Sequence, residues 1–216
     1  NSNPLGIEIK SAKGNYLYDN KNKKYLDFIA GVSVCNLGHC HPKVINAIEK
    51  QIKKHLHIMV YGELIQKTPT LLAKELINIL PENQEVLYLT NSGTESVEGA
   101  IKLAKRVTKR YEVISAKKSY HGSTQGSLSI LGIESQKNGY RPLIPFSKLI
   151  EYNNLKDLKK ITNKTAAVIL ETIQGGAGFI LPKNNYLKKV KKRCEKVGAL
   201  LILDEIQTGF GRTGKL

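Results

Sequence analysis

The chain is poor in the residues that mark several large protein classes. It has three cysteines, one methionine and no tryptophan in 216 residues. Such a sparse, odd set of cysteines does not form a disulfide scaffold and suits a reducing compartment. No run of about eighteen apolar residues occurs, so no transmembrane helix is predicted. No charged and then apolar leader follows Asn1, and we expect a cytoplasmic protein, with any segment before Asn1 left open.

Acidic residues and arginines are also few, which bears on nucleic-acid binding. The chain has 34 Lys and Arg against 18 Asp and Glu, a formal charge of +16. Only five of the basic residues are arginine, which is preferred for bidentate contacts to phosphate and guanine. The lysines occur as scattered pairs, as on solvated helix faces. We therefore expect no nucleic-acid partner and no membrane partner.

Strand-like and helix-like patterns alternate along most of the chain, which has an ordinary globular composition with 41% apolar residues. Strands are predicted at residues 6–10, 16–19, 25–29, 86–90, 112–116, 166–170 and 199–204. Helices are predicted from 42, at 69–80, 93–110, around 123–130 and at 186–197, with a loop at 132–145. Repeated strand–helix units indicate an α/β fold, with a mostly parallel sheet and helices on both faces.

The segment from Ala199 to Gln207 is the most informative part of the sequence. A short apolar run ends abruptly in Asp204, and Ile206 and Gln207 follow. The run is typical of a buried parallel strand. Side chains at the carboxyl end of such a strand point into the crevice where α/β sheets bind ligands. A carboxylate at that position is desolvated and needs a cationic partner.

A second polar segment, Asn91 to Glu95, lies where a predicted strand turns into a helix. Free N–H groups and the positive end of the helix dipole make such a turn an anion site. Gly93 lets an anion approach the backbone, and Ser92 and Thr94 add hydroxyl donors. The alternative is an ordinary helix cap, formed by Ser92 or Thr94 with Glu95 in the first turn.

Two more strands end in polar or aromatic residues at the same predicted edge. Tyr120 and His121 follow the strand at 112–116, and Glu171 ends the strand at 166–170. The tyrosine ring could lie flat on a planar cofactor, or simply pack under a loop. Glu171 could equally form a buried structural salt bridge. Together the segments describe a ligand with a phosphate, a flat ring and a ring cation, and pyridoxal phosphate has all three.

These motifs resemble those of class III (subgroup II) aminotransferases, which belong to the fold-type I pyridoxal-phosphate superfamily. The resemblance is greatest to the acetylornithine enzymes. The matching stretches are collinear, run nearly end to end and are specific as a set: Tyr16–Asp19, Gly38–Pro42, Asn91–Glu95, Tyr120–Gly122, Glu171–Gly175 and Leu203–Gly214. The resemblance implies an N-terminal segment over residues 1–60 and the first part of the large cofactor-binding domain over residues 61–216.

The resemblance also implies the roles of the site residues. Ser92, Gly93 and Thr94 would hold the cofactor phosphate, and Tyr120 would stack on the pyridine ring. Asp204 would pair with the pyridinium nitrogen, an attraction of about 4 kcal/mol at ~4 Å in a dielectric near 20. The remaining implied cofactor contacts are His121, Ile206 against the ring and Gln207 near the phenolic oxygen.

The implied reaction is a ping-pong transamination in arginine biosynthesis. It would move an ω-amino group from an acylated ornithine-like donor to 2-oxoglutarate, in a protein that is a homodimer when complete. Glu171 would be the gating carboxylate. The Schiff-base lysine would follow Leu216, outside this sequence, so we expect the 216-residue chain to bind cofactor weakly and to be inactive without the rest.

Departures from the family pattern bear on the substrate. Ser123 stands where acetylornithine and ornithine enzymes usually carry an arginine that binds the substrate carboxylate. Val32 stands where ornithine aminotransferases place a tyrosine, and Gly176-Ala177 replaces the usual Glu-Gly. The ornithine and 4-aminobutyrate types therefore remain alternatives for the donor.

Parts of the sequence also fit three interpretations from other classes. Residues 209–215 fit the Gly-x4-Gly-Lys pattern of a P-loop NTPase, but Leu216 replaces the Ser or Thr that binds magnesium. His39-Cys40-His41 could suggest a metal site, although adjacent side chains diverge and a turn before a helix fits better. A non-catalytic truncated protein is the third.

Overall fold

The chain divides into two compact units in a computed structural model that describes residues 3–215. One unit contains residues up to 87 together with those from 210 onward, and the other contains residues 88–209. No helix in the described part is long and apolar enough to cross a bilayer. The boundary predicted between residues 60 and 61 concerns the complete protein and stays a prediction.

The first unit begins with a three-stranded antiparallel meander. Its strands are β1 (Ile9–Lys13), β2 (Tyr16–Asp19) and β3 (Lys24–Leu26). The Asp19 carboxylate accepts the Lys21 and Lys23 N–H groups at 2.9 and 2.8 Å, which fixes the turn between β2 and β3. The range predicted for β2 is confirmed. The start predicted for β1 is wrong, because Gly6 lies at φ +67° and interrupts the extended backbone.

Three helical segments follow in the first unit: α1 (Ala30–Ser33), α2 (Pro42–Ile52) and α3 (Lys67–Ile79). Pro42 occupies the first turn of α2, as predicted. The α1 turn is unusual because Ala30, Gly31, Val32 and Ser33 all have positive φ. Such a backbone costs about 1–2 kcal/mol for each L-residue other than glycine.

The second unit is built on a four-stranded sheet in the order β5-β4-β6-β7, with every neighbouring pair parallel. The strands are β4 (Glu112–Ala116), β5 (Ser147–Ile150), β6 (Thr165–Glu171) and β7 (Leu200–Asp204), and the helices are α4 (Gly93–Thr108), α5 (Gln125–Ser129) and α6 (Tyr186–Val197). The predicted α/β fold with a parallel sheet is confirmed. Strand β5, directly after the predicted loop, was not foreseen.

Helices cover both faces of this sheet, as predicted. On one face Ile114 and Val168 pack with Val190 and Cys194 of α6. On the other face Val113 and Ile169 pack with residues of α4, among them Val97 and Ile101. Neighbouring residues of one strand alternate between the two clusters, because side chains in a strand point to opposite faces. The two cores hold the carboxyl ends of the strands in fixed register.

Two strand predictions were wrong. Residues 86–90 form no strand, and Val86 and Tyr88 are 88% and 80% exposed. A strand needs a hydrogen-bonding neighbour, and none pairs with this segment between residues 3 and 215. β7 was predicted to be buried, yet Leu200 and Leu203 are 37% and 45% exposed. In the described part of the chain β7 is the last strand of its sheet.

Candidate cofactor site

Asp204 ends β7 as a buried carboxylate, with 8% of its surface exposed. Its Oδ2 lies 2.7 Å from Nδ1 of His121, and its Oδ1 accepts the Ile206 N–H at 3.0 Å. Because an ionised carboxylate only accepts, the imidazole proton belongs on Nδ1. The sequence predicts a cationic partner for Asp204, and within residues 3–215 that partner is not a lysine or an arginine.

The His121 ring is held by this bond on one side only. It is almost fully buried, and its Nε2 has no hydrogen-bond partner in the described part of the chain. A buried polar atom left unpaired costs about 1–3 kcal/mol. Such atoms need an explanation and often occur where a protein carries out its function. The hydrogen bond between them means that Asp204 orients His121 and that His121 orients Asp204.

Glu171 is the register partner of Asp204 on the neighbouring strand β6. Its two carboxylate oxygens accept the N–H groups of Tyr120 and Gly175, each at 3.1 Å. Burial raises the pKa of Glu171, and the two N–H bonds act in the opposite direction. Glu171 therefore forms no salt bridge within residues 3–215, because its partners are backbone N–H groups.

The N-terminus of α4 is capped by Ser92. Its hydroxyl accepts the Glu95 N–H at 3.3 Å, and the Glu95 carboxylate accepts the Asn91 N–H at 2.7 Å. The capping alternative is thus realised by Ser92. The N–H groups of Gly93 and Thr94 make no hydrogen bond within residues 3–215, and they stand at the positive end of a 16-residue helix. The cap and an anion site are compatible here.

Two glycines allow the strand-end loops to approach each other closely. A Cβ on Gly93 would lie 2.9 Å from Cδ1 of Ile206. A Cβ on Gly175 would lie 1.6 Å from Oε1 of Gln207. A larger residue at either position would force the Ile206 or the Gln207 side chain to move.

The exposed surfaces at this edge are aromatic and aliphatic. Tyr120 is 47% exposed and Ile206 is 50% exposed. Ser123 is also exposed and follows the buried Gly122. The structure links all the predicted cofactor residues at one edge of the second unit: Ser92, Gly93, Thr94, Tyr120, His121, Asp204, Ile206 and Gln207, with Glu171 beside them.

The residues at this edge fit pyridoxal phosphate. Unpartnered N–H groups at the start of α4 suit its phosphate, and the half-exposed Tyr120 and Ile206 suit the faces of its ring. Asp204 uses two of the roughly four lone-pair positions of a carboxylate, so it retains capacity for a ring N–H.

A hydroxyl cluster beside Thr94 was missed from the sequence. The Thr94 hydroxyl lies 2.7 Å from the Thr124 hydroxyl and 2.7 Å from the Ser127 hydroxyl. Glu98, one turn further along α4, accepts from Thr124. The four-residue spacing from Thr94 to Glu98 places both side chains on one helix face and was the available signal.

The rival motifs adopt other geometries. Residues 209–214 form turns after β7, and Leu216 lies outside the described residues. His39 Nε2 lies 2.7 Å from Asp27 Oδ2, and the segment around it is the turn before α2. Between residues 3 and 215, no group of three or more His, Cys, Asp or Glu side chains is arranged to hold a metal ion.

The chain is similar in sequence to known proteins over nearly its whole length. The aminotransferase class-III family profile matches residues 1–216. An acetylornithine aminotransferase of Halalkalibacterium halodurans is 40% identical over 210 residues, 96% of this chain and 53% of that protein. A LysW-aminoadipate semialdehyde/glutamate semialdehyde transaminase of Sulfurisphaera tokodaii is 40% identical over 211 residues, 98% of this chain and 54% of that protein.

The chain is also similar to solved structures of aminotransferases. An ornithine aminotransferase from Toxoplasma gondii, which has partial occupancy of pyridoxal phosphate at its active site, superposes with a TM-score of 0.89 and 31% identity. The match covers 100% of this chain and 53% of that one. The chain therefore spans about half the length of the relatives it matches.

Proposed function

This chain belongs to the class-III aminotransferase family, and we propose that it supplies the pyridoxal-phosphate site of a transaminase. The donor would be the ω-amine of an acylated ornithine-like molecule, and the acceptor 2-oxoglutarate, as a step of arginine biosynthesis. The observation that carries the proposal is the buried Asp204 at a strand end, in the same site as the free N–H groups of α4.

Asp204 is the residue that governs the chemistry in this proposal. Bound pyridoxal phosphate supplies an electron sink, which works best while its ring nitrogen is protonated. The Asp204 carboxylate would hold that proton through an attraction of about 4 kcal/mol at ~4 Å. The Nδ1–H of His121 keeps the carboxylate in one orientation, 2.7 Å away.

Other residues of the chain would bind and orient the cofactor. The N–H groups of Gly93 and Thr94 would receive the phosphate at the positive end of α4, beside the Ser92 cap. Tyr120 and Ile206 would enclose the ring and exclude water from it. Gln207, held against Gly175, would lie near the phenolic oxygen.

Glu171 and Ser123 would act toward the substrate. Burial raises the pKa of Glu171, and a cationic group placed beside it would lower that pKa and favour the charged carboxylate. Ser123 offers a hydroxyl where the family usually has a guanidinium for the substrate carboxylate. Ornithine-type and 4-aminobutyrate-type donors are the alternatives that the donor comparison must separate from this one.

A donor comparison on the complete protein tests the proposal. With pyridoxal phosphate and 2-oxoglutarate present, glutamate formation is measured with N2-acetylornithine, ornithine and 4-aminobutyrate. We expect kcat/KM for the acylated donor to exceed the other two by about tenfold or more, since a specific pocket contact is worth roughly 1–3 kcal/mol. Preference for either free amine would reject the donor class, and no glutamate from any donor would reject the reaction.

We also propose that the complete protein is a cytoplasmic homodimer. Sedimentation of the complete protein would give twice the chain mass if this holds, and the mass of one chain if it does not. The 216-residue chain, tested beside it, is expected to show no glutamate formation. Activity equal to that of the complete protein would contradict the assignment of the Schiff-base lysine to the sequence beyond Leu216.

A further inference from the structure

Glu98 stands at the centre of a hydrogen-bond cluster beside the proposed phosphate site. Its Oε1 accepts the Thr124 hydroxyl at 2.6 Å and the N–H groups of Gly126 and Ser127 at 2.8 and 2.9 Å. One carboxylate oxygen on α4 therefore caps the start of α5. Three donors offset the cost of holding this partly buried charge.

The surrounding backbone is shaped to admit this carboxylate. A Cβ on Gly126 would lie 2.1 Å from Oε2 of Glu98, so only glycine fits there. Gly122 has φ +124°, and a Cβ on it would lie 2.4 Å from Oγ1 of Thr94. Thr94 and Glu98, four residues apart on α4, are thus both enclosed by the segment that leads into α5.

The carboxylate also orders the protons of the cluster. Glu98 can only accept, so the single Thr124 hydroxyl proton points at it. The Thr124 oxygen can then only accept from the Thr94 hydroxyl, 2.7 Å away. The Ser127 hydroxyl lies 2.7 Å from the Thr94 hydroxyl and 3.0 Å from the Thr124 hydroxyl, so the three hydroxyl groups form a triangle. The Thr94 side chain is consequently fixed in one orientation.

We propose that Glu98 is a positioning residue for the cofactor phosphate: through Thr124 and Ser127 it fixes the Thr94 side chain, and so holds the Thr94 backbone N–H in the position that receives the phosphate. The inference rests on the proposed function, because Thr94 is a phosphate contact only if pyridoxal phosphate binds here. Glu98 itself touches neither cofactor nor substrate. Its effect is confined to the phosphate subsite, which separates it from a general structural role.

The test compares two ligands that differ only in the phosphate. The apo form of the complete protein is titrated with pyridoxal phosphate and with pyridoxal, and both dissociation constants are measured by absorbance. In Glu98→Ala we expect pyridoxal phosphate to bind about tenfold or more weakly, from the loss of charge-assisted hydrogen bonds, while pyridoxal binding changes little. Glu98→Gln keeps an acceptor oxygen and is expected to restore most of the affinity.

The outcomes distinguish the possible failures. If Glu98→Ala weakens the binding of both ligands equally, or of neither, the positioning role is overturned. The same holds if Glu98→Gln binds pyridoxal phosphate as weakly as Glu98→Ala does. If Glu98→Ala does not fold, Thr124→Val decides: several-fold weaker binding of pyridoxal phosphate alone supports the role, and unchanged binding overturns it.

Glu195→Ala, at an exposed α6 carboxylate, is the matched control. Wild-type protein that binds no pyridoxal phosphate would instead overturn the proposed function.

Discussion

The side chain that meets Asp204 is a histidine, and this identity affects what the carboxylate can do. A lysine or arginine would bring a permanent positive charge and neutralise Asp204. The imidazole instead donates one hydrogen bond to Asp204 through Nδ1. With His121 and the Ile206 N–H as its partners, the Asp204 carboxylate is held in one orientation.

Removing the imidazole tests this pairing. In His121→Ala of the complete protein we expect kcat to fall by about 10- to 100-fold, since a hydrogen bond to a charged group is worth roughly 1.5–3 kcal/mol. His121→Asn can still donate one N–H and should recover part of the loss. The measurement is kcat together with the cofactor dissociation constant. An unchanged kcat in His121→Ala would show that the bond does not serve the reaction.

The Glu171 carboxyl gives a pH-dependent prediction for stability. Burial raises its pKa above the ordinary 4.5, so the folded state keeps a proton that the unfolded chain releases. Its stabilising contribution is full below the unfolded pKa and is lost as pH rises through the folded value. The free energy of unfolding of the purified protein should therefore fall more steeply with pH above 4.5 than that of Glu171→Gln. Urea unfolding at a series of pH values measures both slopes, and parallel curves would contradict the shift.

Single positions were predictable where a strand pattern ended in a polar residue. Asp204 and Glu171 each end such a pattern and lie at the predicted edge. Gly93 begins α4 as predicted, although the strand predicted before it does not form. The bond between His121 and Asp204 was not predictable, because it joins residues 83 positions apart. Only the parallel register of β6 with β7, and the loop after β4, bring those two side chains together.

Among the secondary-structure elements, α4 carries most of the site. Val97, Ile101 and Ala104 form its buried face, while Val107 is 62% exposed. The helix stops at Thr108, with Lys109 at φ +57°. The segment at 86–90 shows the limit of sequence patterns: its apolar residues have strand propensity, but a strand also requires a neighbour.

Two glycines of α4 provide a matched pair of variants. A Cβ on Gly93 would press on Ile206 at 2.9 Å, whereas one on Gly99 would meet only Tyr88, at 3.8 Å. We expect Gly93→Ala to weaken pyridoxal-phosphate binding by about tenfold, as a misplaced site contact costs roughly 1–3 kcal/mol. Gly99→Ala should leave binding unchanged and add about 0.5–1 kcal/mol of stability. Fluorescence titration of both variants decides, and equal affinities would reject the close approach at Gly93.

For the molecule as a whole, the sequence predicted the fold class better than the extent of the sheet. The parallel sheet and its covering helices follow from local alternation of strand and helix patterns. The position of β7 at the end of the sheet and the coil at 86–90 depend on which segments pair, which local patterns do not encode. About half of each relative's length lies outside the match, so the proposed reaction belongs to the complete protein.

The visible absorbance of the complete protein with pyridoxal phosphate, compared between wild type and Asp204→Asn, tests the account most directly. The amide has the shape of the carboxylate without its charge. We expect an altered spectrum of the bound cofactor and a rate of transamination lower by up to about a thousandfold, from the loss of roughly 4 kcal/mol of attraction. An identical spectrum and an unchanged rate would show that the ring nitrogen does not face Asp204.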